Sequence, residues 1–246
     1  VLIPKGTKLT PAIIGVAAAG GHDELVVHRK LVVDVLVFGD ELLTSGPSRE
    51  GKVRDSLGPQ LPLWIDYIGA ELNQVTLVAD TLEDHFAAIS KSKADLIVTT
   101  GGTAAGPVDH LHNAIVDAGG NFIIDAVLVR PGYHQLMAQI GERHLIGLPG
   151  NPQSAVIGLL SLAVPFIAGA NGQPLPELET CELSTDLKGP AREVRLALCS
   201  LESNVATPLE HLDSSMLRGF VKADGYAVLP PGGANSGQHV PWLKLP

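Results

Sequence analysis

From Leu31 to Phe38 the chain reads LVVDVLVF, an apolar, largely β-branched run broken once by an aspartate. Runs without alternation are what strands look like when a sheet is covered on both faces. VTLVA (Val75 to Ala79), DLIVTT (Asp95 to Thr100), FIIDAVLV (Phe122 to Val129) and LIGL (Leu145 to Leu148) have the same character. Between them the spacing turns helical: from about Asp55 to Leu72, after Thr81, from about His110 to Ala118, and in a long apolar stretch after Pro149-Gly150-Asn151-Pro152. Thr81 is placed to cap its helix, with Asp84 in the reciprocal capping-box position. Upstream, Thr10-Pro11 gives a cap followed by a first-turn proline, and Gly20-Gly21 stops the helix that follows. A polar loop covers Thr44 to Lys52. Strands alternating with helices in this way predict βαβ units and an α/β fold with a mostly parallel sheet. After Ala170 the pattern changes. NGQPLPELE reads as a linker, and short segments with turn residues from about Thr180 to Pro246 predict a small β domain.

Composition narrows the function classes. Hydrophobic residues are 45% and charged residues 17% of the 246, enough for a sizeable core and too few charges for a disordered chain. The net charge of -9 offers no basic face for phosphate backbones, so no nucleic-acid partner is expected. The most apolar stretch, Ala155 to Ala170, reads as a buried helix, being too short for a bilayer and containing Pro165, so no membrane is expected. No basic segment followed by an apolar run marks a signal peptide. Cys181 and Cys199 lack any metal-binding spacing; a disulfide between them is one reading, and two reduced thiols in a cytoplasmic protein the favoured one. The nine histidines form no HExxH pattern, and there is no nucleophile elbow, Walker loop or dinucleotide fingerprint.

Ligands of open α/β sheets bind beyond the carboxyl ends of the strands. Four clusters fall there: Gly39-Asp40-Glu41, Thr99-Thr100-Gly101-Gly102-Thr103, Arg130-Pro131-Gly132 and Pro149-Gly150-Asn151-Pro152. Any one of them alone reads as an ordinary turn, cap or surface charge; together they predict a site. The paired glycines and threonines can turn donors inward around an anion. Asn151-Pro152, followed by Ser154, reads as a helix N-terminus with N–H groups and a positive dipole end available to an oxyanion. Asp40 and Glu41 can hold Mg²⁺ or position a proton, or equally cap and pair, and Asp80 and Asp109 can join them. Arg130 is the cation for a phosphate or other oxyanion.

These segments resemble a known family. Gly39-Asp40-Glu41-Leu42 is similar to its TGDEL, TTGGTAAGPVD (Thr99 to Asp109) to its SGG-x-S-x-G-x-x-D, Arg130-Pro131-Gly132 to the start of its KPGKP, and LPGNPQSA (Leu148 to Ala155) to LPGNPxSA. Gly6 to Gly20 and the tail MLRGFVKADGYAVLPPGGANSGQHV are also similar, so the chain resembles the molybdopterin molybdenumtransferases over essentially its whole length. The resemblance implies a three-layer molybdopterin-binding α/β domain at 29–171, a small barrel-like β domain at 172–246 and, at 1–28, a remnant of the N-terminal linker region, much of the N-terminal part being absent. It implies a homodimer that takes adenylylated molybdopterin and molybdate, releases AMP and uses Mg²⁺. On this chain Asp40 and Glu41 would be catalytic, and Asp80 and Asp109 would hold the metal. Thr100, Gly101, Gly102, Thr103, Arg130, Pro131, Gly132, Gly150, Asn151, Pro152 and Ser154 would bind the pterin phosphate and its neighbours.

Departures from the pattern leave two further readings open. Ala104 stands where the family has serine, Pro107 where it has an acidic residue, Tyr133 and His134 where it has lysine and proline, and Phe38 where it has threonine. Lost donors slow chemistry by orders of magnitude, so a non-catalytic molybdopterin carrier or sensor is the first alternative. Molybdopterin adenylyltransferase, which shares the TTGGT-type loop, is the second.

Overall fold

A computed structural model describes residues 1–104, 106, 109–209 and 217–246. Pro107 and Met216, which bear on the resemblance, lie outside the described residues. The first layer of the fold is a six-stranded sheet. Its strands are β1 (Val32–Phe38), β4 (Glu71–Val78), β5 (Leu96–Thr100), β6 (Asn121–Ile124), β8 (Leu136–Ile140) and β9 (Arg143–Leu148), in the order β4-β1-β5-β9-β8-β6. The first four in that order run parallel, and β8 runs against both β9 and β6. The short strands β2 (Leu42–Leu43) and β3 (Val53–Arg54) pair outside the sheet.

The unalternating runs are explained by helices on both faces. On one side Val33, Val35, Val37, Val98, Ile146 and Leu148 pack on α2 (Leu61–Tyr67) and on the long helix after Asn151. On the other, Leu36, Ile97 and Leu145 pack on α3 (Leu82–Lys91) and α4 (Leu111–Asp117). Helix α1 (Pro11–Ala19) precedes the sheet, its N-terminus capped by the Thr10 side chain. The long helix consists of α5 (Pro152–Gly158), a π-helical stretch (Leu159–Ala163) and α6 (Val164–Ala170). Pro165 lacks an N–H, and its ring crowds the carbonyl one turn back; the wider π turn just before it accommodates both.

Several expectations need correction. The helix expected from about Asp55 to Leu72 is only Leu61–Tyr67. Asp55 folds its own loop by accepting the N–H groups of Leu57 and Gly58, and Gly69 stops the helix in a left-handed conformation (φ +86). Glu71 and Leu72 then join the ladder of β1. FIIDAVLV is broken as well: β6 ends at Ile124, and Val129–Arg130 forms a separate strand, β7. The helix Pro152–Ala170 is 19 residues long, sufficient in length and composition to cross a bilayer, so "too short" is wrong; two thirds of it is buried inside the protein. Thr81 does cap α3, accepting from Asp84 N–H, but its own N–H goes to the Ala79 carbonyl and its hydroxyl donates to Asp84, so the return arm of the box is not made.

The C-terminal part is a closed barrel of five strands: β10 (Glu179–Leu183), β16 (His239–Lys244), β14 (Gly225–Leu229), β12 (Val194–Glu202) and β13 (Val205–Pro208), with β13 returning to β10. Strands β11 (Leu187–Lys188) and β15 (Gly233–Ala234) pair beside it, and a 3-10 turn covers Leu217–Val221. The barrel is filled by Leu183, Ala197, Ala206, Leu229, Val240 and Trp242 with the free thiols Cys181 and Cys199. β7 pairs in parallel with barrel strand β12, Val129 opposite Val194 and Arg130 opposite Arg195. Beneath that junction Val156, Ile157 and Leu160 pack on Leu196, Leu198 and Tyr226.

Candidate functional site

Because β1, β4, β5 and β9 are parallel, their carboxyl ends share one edge of the sheet. β8 runs the other way, so its start, after Arg130-Pro131-Gly132, lies at that same edge, with Leu136 opposite Gly147. Strand direction alone therefore gathers the four clusters, although the third is not itself a strand end of this sheet.

At the β1 corner Gly39 has φ +135, and a Cβ there would fall 2.7 Å from the Glu41 carboxylate, which folds back over it. Asp40 and Glu41 are exposed. Asp40 Oδ1 accepts the backbone N–H of Asp80 at 3.3 Å, which ties the chain beyond β1 to the chain beyond β4. Behind Asp80 lies His85, fully buried, with Nε2 3.2 Å from Asp80 Oδ1. The two atoms are close but off the line of a hydrogen bond, and both are buried without one. Phe38 stacks on the imidazole, centroids 3.7 Å apart, and His110 meets it edge-on. Burial lowers the His85 pKa below its ordinary value, with Asp80 pulling the other way.

The two glycine loops lie against each other. Gly101 donates its N–H to the Leu148 carbonyl at 2.9 Å, and a Cβ on Gly150 would sit 3.6 Å from Gly101 Cα. That bond commits the Gly101 amide to the neighbouring loop. Gly101 and Gly102 have φ of +83 and +64, and Thr99, Thr100 and Thr103 are buried. Asn151 occupies the N-cap position before Pro152, but its side chain makes no capping bond to the helix; Ser154 is buried in the first turn. Asp109 is engaged within its own loop, its carboxylate accepting the Gly106 N–H at 3.1 Å. Among the described residues no three histidine, cysteine, aspartate or glutamate side chains close into a metal cage.

Arg130 and Pro131 are joined by a cis peptide bond, and Gly132 (φ +112) turns the chain past Ile157. The Arg130 guanidinium donates to Glu193 at 2.9 Å and lies over the Tyr133 ring. It borders a cleft of about 480 Å³ between the α/β part and the barrel, together with Gln153, Lys188 and Arg195. Arg195 donates to the Lys188 carbonyl, which ties its guanidinium to the backbone of that strand.

Residues 34–169 match the model of a probable molybdopterin binding domain, and residues 180–245 that of the MoeA C-terminal region (domain IV). A molybdopterin molybdenumtransferase of Bacillus subtilis (strain 168) is 31% identical over 256 aligned positions, covering all of this chain. The chain belongs to the molybdopterin molybdenumtransferase family. It spans about 60% of the length of that relative, and 43% of a Haemophilus influenzae molybdopterin molybdenumtransferase that is 31% identical over 70% of this chain. The crystal structure of a molybdopterin biosynthesis MoeA protein from Pyrococcus horikosii superposes with a TM-score of 0.83 at 25% identity, over 99% of this chain and 61% of that one. The match to domain IV accounts for the barrel, the feature that argues against the adenylyltransferase alternative.

Within this molybdopterin molybdenumtransferase fold, two residues near the sheet edge carried no sequence signal of function. Arg195 reads as one charged residue in a barrel strand, and only the ladder of β7 with β12 sets it beside Arg130. His85 lies in the first turns of an amphipathic helix, where a histidine is unremarkable. Phe38, noted as a departure from the family pattern, is the ring that covers it.

Proposed function

We propose that the chain acts as a molybdopterin molybdenumtransferase, binding adenylylated molybdopterin and molybdate and releasing AMP as molybdenum passes to the pterin dithiolene. The observation that carries the reading is the cationic cleft: a chain of net charge -9 sets Arg130, Lys188 and Arg195 around one cavity. Three cations at a cavity suit a doubly charged tetrahedral oxyanion such as molybdate. The loop amides of Gly102 and Thr103 and the helix start at Pro152 suit the pterin phosphate. Asp40 and Asp80 fit Mg²⁺, which takes one or two carboxylates and completes its shell with water and substrate oxygens; Asp40 is exposed and the Asp80 side chain keeps about a third of its surface open at this edge. When bound, Mg²⁺ would neutralise charge on the phosphate oxygens as adenylate departs. Asp40 then keeps Asp80 in place through the latter's N–H, and Glu41 closes the corner over Gly39.

A homodimer and a cytoplasmic setting belong to the same proposal. Exposed Ile14 and Val16 on α1 support self-association, and the free, buried thiols of Cys181 and Cys199 support a reducing compartment. One observation favours binding without turnover: the Arg130 guanidinium is already held by Glu193 and Tyr133.

AMP release from adenylylated molybdopterin, measured with and without molybdate and Mg²⁺, decides between the two. Asp40→Ala should lower release roughly 10²-fold. Arg195→Ala should raise the molybdate concentration needed for half-maximal release about tenfold or more while release at saturation persists. Tight molybdopterin binding with no release would leave a binding protein and sink the transferase.

A further inference from the structure

The His85 imidazole has no part in the function proposed above, yet it meets several parts of the site's framework. It stacks on Phe38 at the end of β1, approaches Asp80 at the end of β4, and supports the β5 loop, where a Cβ on Gly102 would lie 3.5 Å from its Cε1. His110, just before α4, closes the remaining side. The ring is completely buried, and neither nitrogen has a hydrogen-bond partner. Buried polar atoms left in that state cost free energy. The nearest relief for Nε2 is Asp80 Oδ1, 3.2 Å away and equally unsatisfied.

We propose that His85 is a positioning residue for the cation site: its Nε2–H donates to Asp80 Oδ1 and fixes the carboxylate so that its other oxygen faces the edge shared with Asp40. The Asp80 side chain is about one third exposed while Oδ1 is buried, so one oxygen is inside the fold and the other is left for a ligand. Nε2 and Oδ1 are already within 3.2 Å, so the bond needs only a change of carboxylate orientation. Phe38 holds the ring plane, which makes the stacked pair a single unit and gives the large residue before Gly39 a role. Partners of this kind behind a metal-binding carboxylate set its orientation, and removing them typically costs about 10–100-fold in metal affinity. The proposal rests on the reading of Asp80 as a Mg²⁺ ligand.

The test uses the whole chain and three variants: His85→Leu, which keeps the bulk against Phe38 and removes the donor; His85→Gln, whose amide restores a donor near Nε2; and Asp80→Asn. Mn²⁺ alone is titrated into each and free Mn²⁺ read by electron paramagnetic resonance, with thermal midpoints recorded alongside. The expected result is about tenfold or greater weakening in His85→Leu at an unchanged or higher midpoint, recovery to within about threefold in His85→Gln, and loss in Asp80→Asn. Ring ¹⁵N spectra of the wild type should show a protonated, hydrogen-bonded Nε2 whose signal moves in Asp80→Asn. Equal Mn²⁺ binding in His85→Leu and wild type, with Asp80→Asn impaired, overturns the role of His85. Absence of binding in the wild type, or binding indifferent to Asp80→Asn, overturns the reading of Asp80 itself, and the Nε2 signal then reports separately whether the hydrogen bond exists.

Discussion

Single residues at this sheet edge are constrained by backbone geometry as much as by chemistry. Gly101 has a left-handed φ of +83, and a Cβ there would meet the Phe38 carbonyl at 3.1 Å, a backbone atom that cannot swing aside. Gly101→Ala should therefore destabilise the protein by about 1–3 kcal/mol, read from urea denaturation, and should move the loop off its bond to Leu148. An unchanged midpoint would mean that the loop has room the geometry denies it. Asp40, Glu41 and the two glycine loops were legible in the sequence because strand ends concentrate unusual residues, and an apolar run marks where a strand stops. His85 and Arg195 were not, because their importance comes from what the fold sets beside them: Asp80 and Phe38 in one case, Arg130 in the other.

At the scale of elements, the unalternating strands β1, β5 and β9 could be read directly, since burial on both faces leaves a signature in any one of them. Elements shaped by their neighbours could not. LMAQI of β8 holds a glutamine and an alanine and becomes a strand because β9 and β6 flank it. The start of β4 was mistaken for the end of a helix, because its edge position leaves it with exposed polar residues. The entry to β1 is fixed by Asp95, at the head of β5. Its carboxylate takes both Arg29 nitrogens, at 2.5 and 2.6 Å, and the Val32 N–H at 2.8 Å. The hydrogen bond from Arg29 holds the Asp95 carboxyl below the usual carboxylate range. A carboxylate with a depressed folded pKa contributes stability above its unfolded value and loses it as pH falls through the folded one. Asp95→Asn should thus lower the thermal midpoint at pH 7, and the gap from wild type should shrink progressively as pH falls below about 4. A gap that stayed undiminished as pH fell well below about 4 would show that the pair contributes through packing and not through charge.

For the molecule as a whole, the division into a sheet domain and a barrel was visible in the sequence as a change of pattern, and their union was not. The composition of NGQPLPELE shows where the chain passes from one part to the other, but not that an earlier two-residue strand, β7, belongs to the barrel's ladder. That strand holds Arg130 and Arg195 in register, so the width of the cationic cleft is set by backbone hydrogen bonds and not by the exposed linker. Covalent continuity at the linker should therefore be dispensable for keeping the halves together. A protease that nicks the exposed stretch 172–178 should leave two fragments that elute as one particle, with Leu196, Leu198 and Tyr226 still buried against Val156 and Leu160. If the fragments part without denaturant, the seam is too weak to hold the cleft. If they stay together, the barrel and the sheet domain made as separate polypeptides should reassemble on mixing, each supplying one arginine of the pair.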